Sequence, residues 1–292
     1  MGRARDIRLA YLLLAPALLL LLTALAYPIG WEVWTSFTDL SPLNDGSTAY
    51  VGLTNYSRLL AGADFWQAAF VTVGYAVVTS VAKLALGLGF ALLLARPFRG
   101  RVFVFLAVFL PWAYPAGVSV IGWYWTLNPP TTTAYAPFMG QLKYLVDGTF
   151  GTGAWAFLSV ILFNIWRGSS FIGIFLLAGI NAIPPELFEC AALESKSAWR
   201  RFWLVTVPLL KPFLALAVFL ALTTAFADLA NVWMLTAGRI VYPVLGTHAY
   251  WLAIHGGQFG PASALSLTLA PFLLAVLFVL FRMFDPPELE RA

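Results

Sequence analysis

An all-α bundle crossing a lipid bilayer about six times is the fold class this sequence predicts, from its composition, the length of its apolar runs and the placement of its basic residues. Hydrophobic residues make up 61% of the 292 and charged residues only 10%, a balance far from that of soluble domains. A soluble chain of this size would need a polar surface that so few charges cannot supply. Lipid must therefore cover much of the exterior.

Crossing about 30 Å of hydrocarbon takes roughly 20 apolar residues in a helix, because lipid leaves backbone groups no partner but the helix itself. Six stretches qualify, near residues 9–29, 70–95, 102–126, 154–180, 213–235 and 262–281. Residues 1–8 then form a short N-terminal segment, and residues 9–292 a single transmembrane domain. The segments joining the spans alternate in basic content. One set carries Arg3, Arg5, Arg8, Arg96, Arg99, Arg101, Lys196, Arg200, Arg201, Lys211, Arg282 and Arg291, and the other only Arg58, Lys143 and Arg239. The positive-inside rule places the richer set, and with it both termini, in the cytoplasm. The first span has a second reading. Arg3, Arg5 and Arg8, a leucine-rich core and Ala24-Leu25-Ala26 together imitate a cleavable signal peptide, whose removal would leave five spans in the same orientation. The long uninterrupted run favours a retained span.

Several function classes are excluded or disfavoured. The net charge of +4 comes without a basic cluster interleaved with aromatics, which argues against nucleic acid as a partner. Cys190 is the single cysteine, so neither an internal disulfide nor a cysteine-built zinc site can form. The two histidines, His248 and His255, have no Glu or Cys close by in sequence, and no metal site is expected. No glycine-rich loop ending in Gly-Lys-Ser/Thr is present, so the chain itself is not expected to hydrolyse ATP or to carry catalytic residues.

The segment 181–212 is the longest of the richly basic stretches and reads as structured. Pro185 suits the first position of a helix, Glu186 and Glu189 favour its positive end, and Phe188, Ala191 and Ala192 share a face. Residues 195–197 make a break. A second short helix would gather Trp199, Phe202 and Trp203, and Pro208 and Pro212 would stop it before the fifth span. Two readings remain open: an amphipathic pair lying on the membrane surface, or a docking element for another protein, with small alanines for close approach and Glu189 for pairing.

Glu189-Cys190-Ala191-Ala192-Leu193-Glu194-Ser195, followed by Trp199, Phe202 and Val207-Pro208-Leu209-Leu210-Lys211-Pro212, closely resembles the EAA loop of ABC importer permeases. Ser36-Phe37-Thr38-Asp39, Val51-Gly52-Leu53-Thr54-Asn55-Tyr56, Leu110-Pro111-Trp112 and Ile183-Pro184-Pro185-Glu186-Leu187 agree in order. Together they resemble the sugar-importer branch, in the subunit type of the larger maltose permease and its glycerol-phosphate relative. The resemblance implies a permease of a prokaryotic cytoplasmic membrane, paired with a second permease, two ABC ATPases holding ATP and Mg, and an extracytoplasmic solute-binding protein. It implies no cofactor on this chain. The loop Glu189 to Ser195 would couple to the ATPase, with Glu189 and Ala191 in contact. Cys190 stands where alanine is usual and Ser195 where glycine is usual.

Three ionisable residues fall within the spans, and each is costly enough there to suggest a function. Lys83 reads as a structural residue that reaches an interface or bonds neighbouring helices. Asn164, Arg167, Gly168 and Phe171 fall on one helical face, as do Thr224, Asp228 and Asn231. Asp, Asn and Arg beside aromatics suit a sugar, which offers hydroxyls to bond and apolar C–H faces to stack. The family resemblance implies a solute path along Trp112, Ala116, Asn164, Arg167, Gly168, Phe171, Ala225 and Asp228. The alternative is an Arg167–Asp228 ion pair that only holds helices together. The expected activity is import of a di- or oligosaccharide such as trehalose or maltose. Glycerol 3-phosphate or another polar solute is the alternative cargo, and a stand-alone secondary transporter, or a membrane enzyme or scaffold, the alternative class.

Overall fold

A computed structural model describes residues 2–43, 48–150, 153–194, 196–236, 238 and 244–284. Apart from one isolated antiparallel bridge, Thr38 to Tyr50, the regular structure of these residues is helical. In chain order the helices are α1 (Gly2–Leu21), α2 (Tyr27–Ser36), α3 (Thr54–Ala61), α4 (Ala63–Leu94), α5 (Arg101–Ala113), α6 (Ala116–Leu127), α7 (Ala136–Phe150), α8 (Ala154–Asn181), α9 (Pro185–Glu194), α10 (Ala198–Arg201), α11 (Val207–Phe226), α12 (Leu229–Leu235), α13 (Leu245–Ile254), α14 (Phe259–Leu267) and α15 (Leu269–Phe284). Five continuous stretches are long and apolar enough to cross a membrane: Tyr11–Ser36, Ala63–Leu94, Ala154–Asn181, Ala198–Phe226 and Phe259–Val279. The bent pair α5 and α6 makes a sixth.

Two expectations need correction. The fifth span was expected at 213–235 with Pro208 and Pro212 as stops, yet the helical run extends from Ala198 to Phe226 through both prolines. A π-helical turn, Phe202–Thr206, lies just ahead of Pro208, and a second, Leu22–Ala26, just ahead of Pro28. In the turn before Pro208 the Val207 N–H reaches back five residues to Phe202 O, the π register. The third span is the opposite case. It is broken at Tyr114–Pro115, where α5 and α6 diverge by 100°. Pro115 drives Tyr114 into extended backbone, at φ −73° and ψ 144°.

The chain falls into two compact units, Met1–Trp66 with His248–Ala270, and Gln67–Thr247 with Pro271–Ala292. In the first, α14 packs on α2 and α3. Two of the sequence motifs meet there. Asn55 Nδ2 donates to the carbonyls of Ser36 and Thr38, each at 2.8 Å, and Tyr56 Oη donates to Ser36 Oγ at 2.8 Å. Gly260 N donates to Leu40 O at 3.2 Å, and a Cβ on Gly260 would run into the Thr38 carbonyl.

The second unit is built around α8, half of whose apolar window is buried. Ile172, Leu176, Leu177 and Ile180 pack with Ala91 and Leu94 of α4 and with Leu210, Ala217 and Ala221 of α11. Without water to drive association, helices in lipid gain mainly by close packing of small residues. Gly87 and Gly173 meet at such a crossing: a Cβ on Gly87 would sit 3.0 Å from Gly173 N.

Substituting Gly260 by Ala should lower stability by about 1–3 kcal/mol, because the backbone carbonyl it would strike cannot rotate away. Thermal unfolding in detergent measures this. Gly89→Ala, where a Cβ meets nothing within 4 Å, should be close to neutral.

Candidate functional site

The polar residues singled out in the spans all belong to the second unit. Their centre is Asp228. It ends α11 and starts α12, with Ala227 and Asp228 out of helical register at ψ 7° and 54°. The residue is only 7% exposed. Three neutral donors reach its carboxylate: Tyr75 Oη at 2.7 Å and Asn164 Nδ2 at 2.7 Å, both to Oδ2, and Asn231 Nδ2 at 2.6 Å to Oδ1. Thr224, expected on the same face, is exposed and bonds back to Leu220 O at 2.7 Å instead. The break at Asp228 takes it out of line with Asn231.

Lys83 is 2% exposed and donates to the Ala221 carbonyl at 3.0 Å. It stays inside the unit rather than reaching an interface. Its stem fills the space beside Gly168, where a Cβ would strike Lys83 Cδ. Arg167 points elsewhere. Its Nη1 donates to Tyr114 O at 2.8 Å, Pro111 O at 3.0 Å and Ser119 Oγ at 3.4 Å. Among the described residues Arg167 and Asp228 form no ion pair, which corrects that alternative. Asp228 still acts electrostatically on Tyr75, Lys83 and Arg167.

The expected face of α8 thus divides in two. Asn164 and Gly168 turn toward Asp228 and Lys83, whereas Arg167 and Phe171 turn toward the broken span. Phe171 stacks on Trp112 with ring centroids 5.5 Å apart. Trp112 is 43% exposed, Ala116 is exposed and Phe171 half-buried, whereas Asn164, Ala225 and Asp228 are buried. Asn164 Oδ1 is buried without a partner. Tyr75 was missed by sequence reasoning. It carries no charge and lies among apolar residues of α4, so only its tertiary partner distinguishes it.

The segment after α8 forms the expected pair of helices. Pro185 begins α9, and Ser197 caps α10 by accepting from Arg200 N at 3.4 Å. Trp199, Phe202 and Trp203 cluster, with centroids 5.2 to 6.1 Å apart. Ala191 is buried on the chain's own side, so this residue is not free to contact a partner as expected. Glu189, Cys190, Ala192, Leu193 and Glu194 face outward, Leu193 at 90% exposure. Ser195 lies outside the described residues, as does Arg239. Behind α9 and α10 is a cavity of about 690 Å³, lined mainly by apolar residues that include Ile180, Ile183, Phe188 and Phe202.

Of the two histidines, His255 stacks on Trp251 at 4.6 Å. His248 is half-buried, which lowers its pKa below the usual imidazole value.

No protein-family profile matches the chain. Individual relatives do. The chain is 31% identical over 285 residues to the trehalose/maltose transport system permease protein MalF of Thermococcus litoralis, covering 94% of this chain and 92% of the relative. It is 29% identical to the trehalose transport system permease protein SugA of Mycobacterium tuberculosis, over 97% and 91% of the two chains. It is 30% identical to the sulfoquinovosyl glycerol transport system permease protein SmoG of Agrobacterium fabrum, over 95% and 91%. Among solved structures, a chain of a bacterial alginate ABC transporter in complex with its alginate pentasaccharide-bound periplasmic protein superposes at a TM-score of 0.73. It is 19% identical, and 98% of each chain is covered.

Tyr75→Phe removes one of the donors to a buried carboxylate. It should cost about 1.5–3 kcal/mol, the range for a hydrogen bond to a charged group. The measurement is the shift of thermal unfolding in detergent, with Tyr144→Phe as a silent control because Tyr144 is 82% exposed.

Proposed function

Since this chain belongs to the permeases of sugar ABC transporters, we propose that it is the transmembrane subunit carrying a di- or oligosaccharide such as trehalose or maltose across a prokaryotic cytoplasmic membrane. Near-complete coverage of the trehalose/maltose relative, at 31% identity over 94% of this chain, carries the reading. Both termini lie in the cytoplasm, as the basic residues of alternate connecting segments indicate. A second permease completes the path, two ABC ATPases bind ATP and Mg on the cytoplasmic face, and an extracytoplasmic binding protein delivers the sugar.

The site chemistry suits that cargo. The Trp112 and Phe171 rings offer the stacking surface that a pyranose C–H face prefers. The α9–α10 segment is the lever. Its outward Glu189, Cys190, Ala192, Leu193 and Glu194 engage the ATPase. Closure of the ATP-loaded dimer selects the outward-open state through its differential affinity for the two conformations. An anionic solute such as glycerol 3-phosphate or an acidic glycoside is the second reading. It is favoured by the cation at Arg167 and by the sulfoquinovosyl glycerol relative.

Reconstitution tests the assignment. Liposomes holding both permeases and both ATPases should accumulate labelled trehalose or maltose only with ATP and the binding protein, and liposomes holding this chain alone should not. Accumulation by the lone chain under an ion gradient would overturn the reading in favour of a secondary carrier. Asp228→Asn should leave the complex assembled but reduce uptake; unchanged transport kinetics would remove Asp228 from the working path.

Leu193→Asp tests the lever separately. The side chain is 90% exposed, so the fold should persist while co-purification with the ATPase and sugar-stimulated ATP hydrolysis are lost.

A further inference from the structure

We propose that Arg167 is a positioning residue: its guanidinium stands in for the helix donors missing at the break of the third span, and so fixes the bend that presents Trp112. The sequence supplies the defect. In an unbroken helix Pro111 O would accept from the N–H of residue 115, but that residue is proline and has none. Tyr114, driven into extended backbone by the same proline, also has its carbonyl outside the helical ladder. A carbonyl facing hydrocarbon has no water to turn to, so an unpaired one is expensive.

These are the two carbonyls that Arg167 Nη1 reaches, at 3.0 and 2.8 Å, with Ser119 Oγ of α6 as a third contact at 3.4 Å. One side chain of α8 thus bonds the last turn of α5, the break itself and the first turn of α6. Trp123 Nε1, donating to Ser159 O at 3.2 Å, ties α6 to α8 at a second point. A cation suits the task because a charged donor bonds carbonyl oxygens more strongly than a neutral one. The acceptors in turn supply the negative dipoles that Asp228, bonded elsewhere, does not.

The consequence reaches the solute surface. Trp112 follows Pro111 directly and stacks on Phe171, one helical turn along α8 from Arg167. Beneath the bend lies an apolar cavity of about 480 Å³ bordered by Pro111, Val108, Trp123 and Trp166, which leaves α5 room to shift if the guanidinium is removed. With Nη1 committed to the backbone, only Nε and Nη2 of Arg167 remain to meet a solute. This deepens the sugar reading and rests on it only where the solute is concerned.

A double-mutant cycle with Pro115→Ala provides the test, because alanine restores the N–H that Pro111 O lacks. Arg167→Met should lower the thermal midpoint in the native background and lower it much less in Pro115→Ala, with Arg167→Lys retaining most of the native value. Strict additivity would overturn the proposal. Independently, spin labels at Leu106→Cys and Ile121→Cys, both exposed, in a Cys190→Ser background report the α5–α6 bend. A narrow distance distribution should broaden or lengthen in Arg167→Met and recover in Arg167→Lys; an unchanged distribution would overturn the proposal even if transport fell. In the reconstituted importer, Arg167→Met should lower kcat for neutral sugar about tenfold with KM little changed, whereas a raised KM at constant kcat would make Arg167 a solute ligand. Absence of sugar uptake by the native importer would defeat the functional assignment but leave the cycle and the distances interpretable.

Discussion

Inside lipid, every polar group must be satisfied by the chain itself, and the second unit is organised around that constraint. Among the described residues, Lys83 and Arg167 are not paired with Asp228. Lys83 and Arg167 donate to backbone carbonyls, and Asp228 accepts from a phenol and two carboxamides. Charges are thus held by dipoles on neighbouring helices rather than by direct opposites. A direct ion pair would bring two helices together at one point. Here each charge instead ties a side chain to the backbone or to neutral groups of other elements, and α8 is joined by such bonds to α5, α6 and the α11–α12 break. The break at Asp228 and the break at Pro115 are both completed by α8, through Asn164 and Arg167.

How much of this was legible in the sequence depends on whether the signal was local. Long apolar runs mark the spans because a helix is the only way to bury that much backbone in lipid. Pro185 and Ser197 mark the starts of α9 and α10 because each acts on its own helix terminus. The prolines were harder. The same residue type ends a helix at Pro115 and lies within a continuous helical run at Pro208, where a π turn precedes it. Composition does not encode that choice.

At the candidate site the sequence identified the polar residues but not their partners. Helical spacing placed Asn164, Arg167, Gly168 and Phe171 on one face, and the angular spread of i, i+3, i+4 positions is wide enough for two neighbouring helices to divide it. Arg167 and Asp228 are the obvious opposite charges, yet each finds a nearer partner in a group without formal charge. Tyr75 lies 153 residues from Asp228 in sequence, and the carbonyls of Pro111 and Tyr114 are available only because of a break in another span. Such pairings follow from tertiary approach, which no local pattern carries.

The outward face of α9 has one practical property. Cys190 is the chain's single thiol and is exposed there. A thiol-reactive dye would therefore mark this helix in the native protein without engineering, and its rate of attachment would read directly whether a partner covers the segment. A position at which the family's usual alanine would be silent makes this chain its own reporter of assembly.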